Sequence, residues 1–142
     1  IDDSTFNILH ASQILELCEN AFLIHIYRDP RDVVASYLNQ SWTPKDIAQA
    51  VLWYKSIIER WQEIKKQLPL DFYIEVKYED IVFNKHEVFE RIEKFTGIDY
   101  TKTAFQTSVD ESNAGKWMLL EKSERKYLHD SLASELKSLG YE

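Results

Sequence analysis

An arginine and a serine eight positions apart, Arg28 and Ser36, stand where a chain can grip a phosphate. Before them runs Phe22-Leu23-Ile24-His25-Ile26, apolar enough for a buried strand. After Arg28, Asp29-Pro30-Arg31-Asp32 opens a segment that reads as a helix. Backbone N–H groups and the helix dipole favour an anion at such a start. A guanidinium at the junction suits phosphate oxygens. Ser36 lies about two turns in, roughly 10 Å along the axis, so the phosphate would lie beside the helix rather than on its tip. The same residues also make a helix start in their own right. Asp29 would be the N-cap, Pro30 the first helical residue and Asp32 the third. Arg28 and Arg31 would then simply pair with Asp29 and Asp32. Local pattern leaves both readings open.

Two strands and several helices must position these residues. Residues 8–19 read as a helix, 22–27 as a strand and 30–40 as a second helix. Thr43-Pro44-Lys45-Asp46 reads as a third helix start, with Thr43 as N-cap. Ile47, Val51, Trp53, Tyr54, Ile58, Trp61, Ile64 and Leu68 then recur at roughly helical spacing, up to Pro69. Residues 72–78 alternate as a strand should. Asn84-Lys85-His86-Glu87 reads as a capping box, with Gly97 as C-cap. Residues 99–121 read as mostly irregular, and Ser123 caps a last helix that stops at Gly140. The order strand–helix–helix–strand–helix suits an α/β layer with parallel strands. The almost wholly apolar 22–27 strand is expected to sit centrally. Two strands are too few for a stable sheet, so the fold reads as incomplete.

The chain has 142 residues, 44% hydrophobic and 13% aromatic, enough for a real core. Net charge is −7, which argues against non-specific nucleic-acid binding. A phosphate site must then rest on local cations: Arg28, Arg31 and Lys116. The single cysteine, Cys18, excludes an internal disulfide and reads as core packing. Trp53 and Trp61 also read as core. No run reaches membrane-spanning length and no signal peptide is apparent, so the expected location is cytoplasmic. Four histidines show no metal-ligand spacing, and no metal is expected. His25 reads as a hydrogen-bonded core residue, with contact to substrate or cofactor as the other reading. His10 is placed poorly for catalysis by its helical context. Glu79 and Asp80, as adjacent strand residues, would point to opposite faces and so not work as an acid–base pair.

Three segments carry a family resemblance. Ile26-Tyr27-Arg28-Asp29-Pro30-Arg31-Asp32-Val33-Val34-Ala35-Ser36 resembles the 3′-phosphate-binding segment of sulfotransferases that use 3′-phosphoadenosine 5′-phosphosulfate (PAPS). Val76-Lys77-Tyr78-Glu79-Asp80-Ile81 is similar to that family's Tyr-Glu-Asp segment, whose tyrosine lies against adenine. Ser112-Asn113-Ala114-Gly115-Lys116-Trp117 resembles its late glycine-basic-tryptophan loop. Leu139-Gly140-Tyr141 is similar to a common family ending. The resemblance implies an α/β fold: part of a P-loop-NTPase-like three-layer domain with a parallel sheet. It implies that Arg28, Ser36 and Lys116 hold the 3′-phosphate, that Gly115 belongs to the same cofactor-binding loop as Lys116 and that Tyr78 contacts adenine.

Departures define what this stretch lacks. The family's 5′-phosphosulfate loop contains glycine and follows its first strand. Gly97, Gly115 and Gly140 all fall in the last third of this chain, and none can belong to that loop. Asp3-Ser4-Thr5-Phe6-Asn7 lacks the lysine and proline of the Lys-Thr-Pro that many relatives carry. Asp110-Glu111-Ser112 replaces an Arg-Lys-Gly, leaving Lys116 as that loop's cation. Residues 1–142 therefore look like a single incomplete domain, the C-terminal portion with its N-terminal part missing.

The implied reaction is transfer of a sulfuryl group from PAPS to a hydroxyl or amine of a small-molecule or carbohydrate acceptor. Adenosine 3′,5′-bisphosphate (PAP) is the product, and the resemblance assigns no catalytic group to this chain. The alternatives are a catalytically inactive fragment or nucleotide-binding module, or an unrelated P-loop-type kinase. A truncated sheet edge invites association, so an oligomer stays open.

Overall fold

The computed structural model describes residues 5–100 and 113–142. Asp3, Ser4, Asp110, Glu111, Ser112 and most of the expected irregular stretch 99–121 lie outside the described residues. The chain packs as two compact units, residues 1–27 with 59–110, and residues 28–58 with 111–142.

The first unit holds the sheet. Strands β1 (Leu23–Tyr27) and β2 (Tyr73–Lys77) pair in parallel, from Leu23 opposite Tyr73 to Tyr27 opposite Lys77. Period-two alternation splits their side chains between two faces. On one face Leu23 and Tyr73 pack with Ala11, Trp61 and Ile64. These come from α1 (Ala11–Leu17), which follows a 3-10 turn at Thr5–His10, and from the end of α3 (Ile47–Lys65). On the other face Ile74 and Val76 pack against Val88 and Ile92 of α5 (Lys85–Thr96). Helices thus cover both faces of a parallel pair, as the α/β reading requires.

Among the described residues β1 has one neighbour, β2, so the central position expected of it is not seen there. Its Ile24 and Ile26 remain 38% and 53% exposed, because α5 covers the β2 side of their face. Three further expectations are corrected in this unit. Cys18 is exposed, not core: it is the C-cap of α1, where the helical phase no longer turns side chains inward. Glu79 and Asp80 are not strand residues. Lys77, at φ −77° and ψ 130°, is the N-cap of α4 (Tyr78–Phe83), and both acids sit in its first turn, where the dipole favours them. Asn84 makes no side-chain cap at α5, although Gly97 does end that helix at φ +71°.

The second unit is helical. Its core joins Val34 and Tyr37 of α2 (Pro30–Tyr37), Ala50, Val51 and Tyr54 of α3, and Leu128, Leu132 and Leu136. The three leucines lie at four-residue spacing along α6 (Lys122–Ser131) and α7 (Ala133–Leu139), which break at Leu132. Gly140 ends α7 at φ +72°, as expected. The caps differ from expectation at two helix starts. Glu121, not Ser123, caps α6 through a capping box with Glu124. Asp46, not Thr43, starts α3: its Oδ1 accepts the Gln49 N–H at 2.9 Å. The buried Thr43 hydroxyl instead donates to the carbonyls of Tyr37 and Gln40, closing the end of α2. Trp53 is 37% exposed and Trp61 only 1%. Eight residues amount to 80° beyond two full helical turns at about 100° per residue, so the two rings do not share a face.

Candidate functional site

The N-terminal turn of α2 forms as its sequence dictates. Asp29 is the N-cap, its Oδ1 accepting the Arg31 N–H at 2.9 Å, and Pro30 follows. Asp29 also takes the Arg31 guanidinium in a fork, Nε to Oδ1 at 3.0 Å and Nη2 to Oδ2 at 2.6 Å. Arg31 lies over Trp117, its Cζ 4.0 Å from the ring centroid. Arg31 is therefore committed to Asp29 and Trp117, a cation–π contact and an ion pair together.

Asp32 is the organiser that sequence reasoning missed. Its side chain is 1% exposed. One oxygen, Oδ2, accepts the Gly115 N–H at 2.7 Å and faces Arg28 Nη2 at 3.2 Å. The other, Oδ1, accepts the Trp117 N–H at 2.9 Å. Arg28 Nη2 also donates to the Asn113 carbonyl. A buried carboxylate persists only when its lone pairs are filled, and here two amides and a guanidinium fill them. The result ties residues 113–117 to the start of α2. A signal existed: Asp32 stands four residues after Arg28 and four before Ser36, a spacing that brings side chains at a helix start near each other.

The expected phosphate-binding residues fall as follows. Arg28 lies at the junction after β1, its side chain 17% exposed and anchored by Asp32 and Asn113. Ser36 is half-buried one turn beyond Asp32, and no hydrogen bond engages its hydroxyl among the described residues. Gly115 sits at φ +82°, the left-handed conformation that glycine adopts without strain. Its N–H is spent on Asp32, so its part is the bend. Lys116 begins the 3-10 turn Lys116–Leu119 and is exposed. These four residues belong to the second unit. Tyr78 belongs to the first, where it opens α4 and is half-buried.

The first unit holds a second charged cluster, around Glu75. His25 Nδ1 lies 3.0 Å and Trp61 Nε1 3.2 Å from Glu75 Oε1, and Lys65 Nζ lies 2.5 Å from Oε2. The hydrogen bond from His25, then those from Lys65 and Trp61, outweigh partial burial and hold the Glu75 carboxyl down at about 2. His25 is thus the hydrogen-bonded residue expected of it, 4.8 Å from the Trp61 ring. Among the described residues no cluster of His, Cys, Asp and Glu could hold a metal ion, and no helix is long and apolar enough to cross a membrane.

The chain matches the model of the sulfotransferase family over residues 1–102. Searches of curated proteins and of solved structures returned no match. The matched span takes in β1, Arg28, Asp32, Ser36, β2 and Tyr78, and it ends before the Gly115–Lys116 turn. With most of its length inside that match, and with a parallel α/β pair leading into the arginine turn, this chain belongs to the sulfotransferase family.

Proposed function

We propose that this chain supplies the 3′-phosphate and adenine side of a PAPS site, in an enzyme that transfers a sulfuryl group to a hydroxyl or amine of a small-molecule or carbohydrate acceptor. The observation that carries the reading is the anchored Arg28, with Ser36 one turn beyond Asp32 on α2 and Lys116 in the turn bound to Asp32. The donor set suits a phosphate: a planar guanidinium, a hydroxyl and an ammonium, with no acceptor-only side chain exposed among them. Asp32 is the acidic neighbour, and its oxygens are filled by the two amides and Arg28.

In this scheme Arg28, Ser36 and Lys116 bind and orient the 3′-phosphate, and Gly115 supplies the bend that presents Lys116. Tyr78 lies against adenine. None of them moves a proton or touches the sulfuryl group. Their contribution is positioning, and a nucleotide held at its far end brings its reactive end to a fixed place. When bound, PAPS supplies the activated sulfuryl group, and PAP is what remains after transfer. The fold follows the family's P-loop-like three-layer plan, of which the described residues hold the parallel pair.

Calorimetry on the purified chain tests this reading. PAP should bind more tightly than adenosine 5′-monophosphate (AMP), which lacks the 3′-phosphate. A charge-assisted hydrogen bond contributes about 1.5–3 kcal/mol, so the preference should be roughly ten- to hundredfold. Arg28→Ala should remove most of it. Equal affinity for the two nucleotides in the native protein, or a preference untouched by Arg28→Ala, overturns the assignment.

A further inference from the structure

We infer that Asp32 is the positioning residue of this phosphate site: its buried carboxylate fixes the Arg28 guanidinium and, through the amides on either side of Lys116, the place from which Lys116 acts. The inference rests on the reading just proposed for Arg28, Ser36 and Lys116.

The contacts converge from three directions. Gly115 and Trp117 flank Lys116, and each donates its N–H to a different oxygen of the same carboxylate, at 2.7 and 2.9 Å. Lys116 is therefore pinned on both sides although its own side chain is exposed. The Trp117 ring beneath Arg31 adds a third tie between this turn and α2. Arg28 is held at one nitrogen by Asp32 and by the Asn113 carbonyl. A guanidinium is planar and rigid, so fixing one nitrogen fixes the direction of its other N–H groups. An unanchored arginine side chain must give up rotamer freedom when a ligand orders it, and anchoring removes that cost from binding.

The charge matters as well as the shape. Asp32 places a negative group beside an anion site, which by itself opposes phosphate. The two amides and Arg28 absorb it, and in exchange the carboxylate orders donors from positions more than eighty residues apart in sequence. Ser36 follows Asp32 by one turn of α2, so in sequence the organising residue lies between the two that bind.

Asp32→Asn keeps the size but offers one acceptor where two are needed and turns an N–H₂ toward a donor. The amides of Gly115 and Trp117 should exchange with solvent at least tenfold faster in that variant, read by hydrogen exchange on the full chain. Its PAP-over-AMP preference should fall about as far as in Lys116→Ala or further. The double variant Asp32→Asn/Lys116→Ala should lose less than the sum of the two, because a displaced turn no longer delivers Lys116. A lowered melting temperature with the full preference and slow amides retained overturns the inference and leaves a merely structural aspartate.

If Asp32→Asn does not fold, Asp32→Glu keeps the charge and the Arg28 pair but shifts the carboxylate. The same faster exchange and reduced preference are expected there, and native values in both overturn the inference. A native protein with no preference for PAP sinks the ligand reading instead. The hold on the turn is then judged by exchange alone: faster amides in the variant support it, and unchanged amides overturn it.

Discussion

Two carboxylates organise the two units of this chain, and they do it to opposite ends. Glu75 gathers His25, Trp61 and Lys65 within hydrogen-bond reach, joining β1, β2 and the end of α3. Asp32 gathers two backbone amides and Arg28, joining the start of α2 to a distant turn. The first cluster spends its donors on itself. The second leaves Ser36 without a hydrogen bond among the described residues and Lys116 exposed. What separates a structural knot from a binding platform is not the central acid but the donors left over around it.

The largest effect should come from the knot itself. Trp61 is 1% exposed, packs with Ala11 and Ile64, and donates to Glu75. Trp61→Ala leaves a cavity and should cost about 3–5 kcal/mol of unfolding free energy in denaturant titrations. The molecules still folded should keep the native PAP-over-AMP ratio. Glu75→Gln comes next, at about 1–3 kcal/mol, the range for depriving buried donors of a charged acceptor. If Glu75→Gln changed the nucleotide ratio and left stability alone, the contrast between the two clusters would collapse.

Acid should pick out the same knot. The Glu75 carboxyl is held at about 2, against an ordinary value of 4.5, chiefly by the hydrogen bond from His25. Its folded form thus sheds a proton more readily than the unfolded chain. Between the two values the unfolded state binds more protons, so stability rises with pH there. The contribution is complete above about 4.5 and fades as pH falls toward about 2. Glu75 is partly open to solvent, which damps the effect. An unfolding series over that range should show a shallower acid limb in Glu75→Gln than in the native chain. Identical limbs would mean that the hydrogen bonds to Glu75 do not favour its charged form.

The two clusters were unequally legible in the sequence. Asp29-Pro30 announced the start of α2 because N-cap chemistry is local, and Gly97 and Gly140 announced helix ends for the same reason. The parallel pair followed from the order of elements, two strands with helices between them, which calls for a crossover connection. Spacing offered Arg28 and Ser36 as a phosphate grip but left the plain helix start open beside it. What stayed hidden depends on partners far along the chain. Asp32 reads as an ordinary third residue of a helix until Gly115 and Trp117 arrive from more than eighty positions away. Glu75 reads as a polar strand residue until His25 comes opposite it in register. Thr43 shows the converse. Its type suited an N-cap, but a buried hydroxyl closing α2 prevailed, and Asp46 took the cap. Trp53 failed as a core residue by phase alone, since the face of α3 that carries Ala50 and Tyr54 excludes it.

The smallest effect is the sharpest test of the platform. Lys116 is exposed, so Lys116→Ala should leave stability within about 0.5 kcal/mol of native. An exposed ion pair contributes on the order of 1 kcal/mol or less, so PAP affinity should fall only a few-fold. AMP affinity should not move, because the group that Lys116 meets is absent from it. The difference should shrink further as salt is raised from 0.05 to 0.5 M, as screening removes what the ammonium contributes, cutting the distance over which it acts roughly threefold. Lys116→Ala that weakened both nucleotides equally would place the ammonium elsewhere on the ligand. The turn that Asp32 holds would then serve the packing of Trp117 rather than the 3′-phosphate.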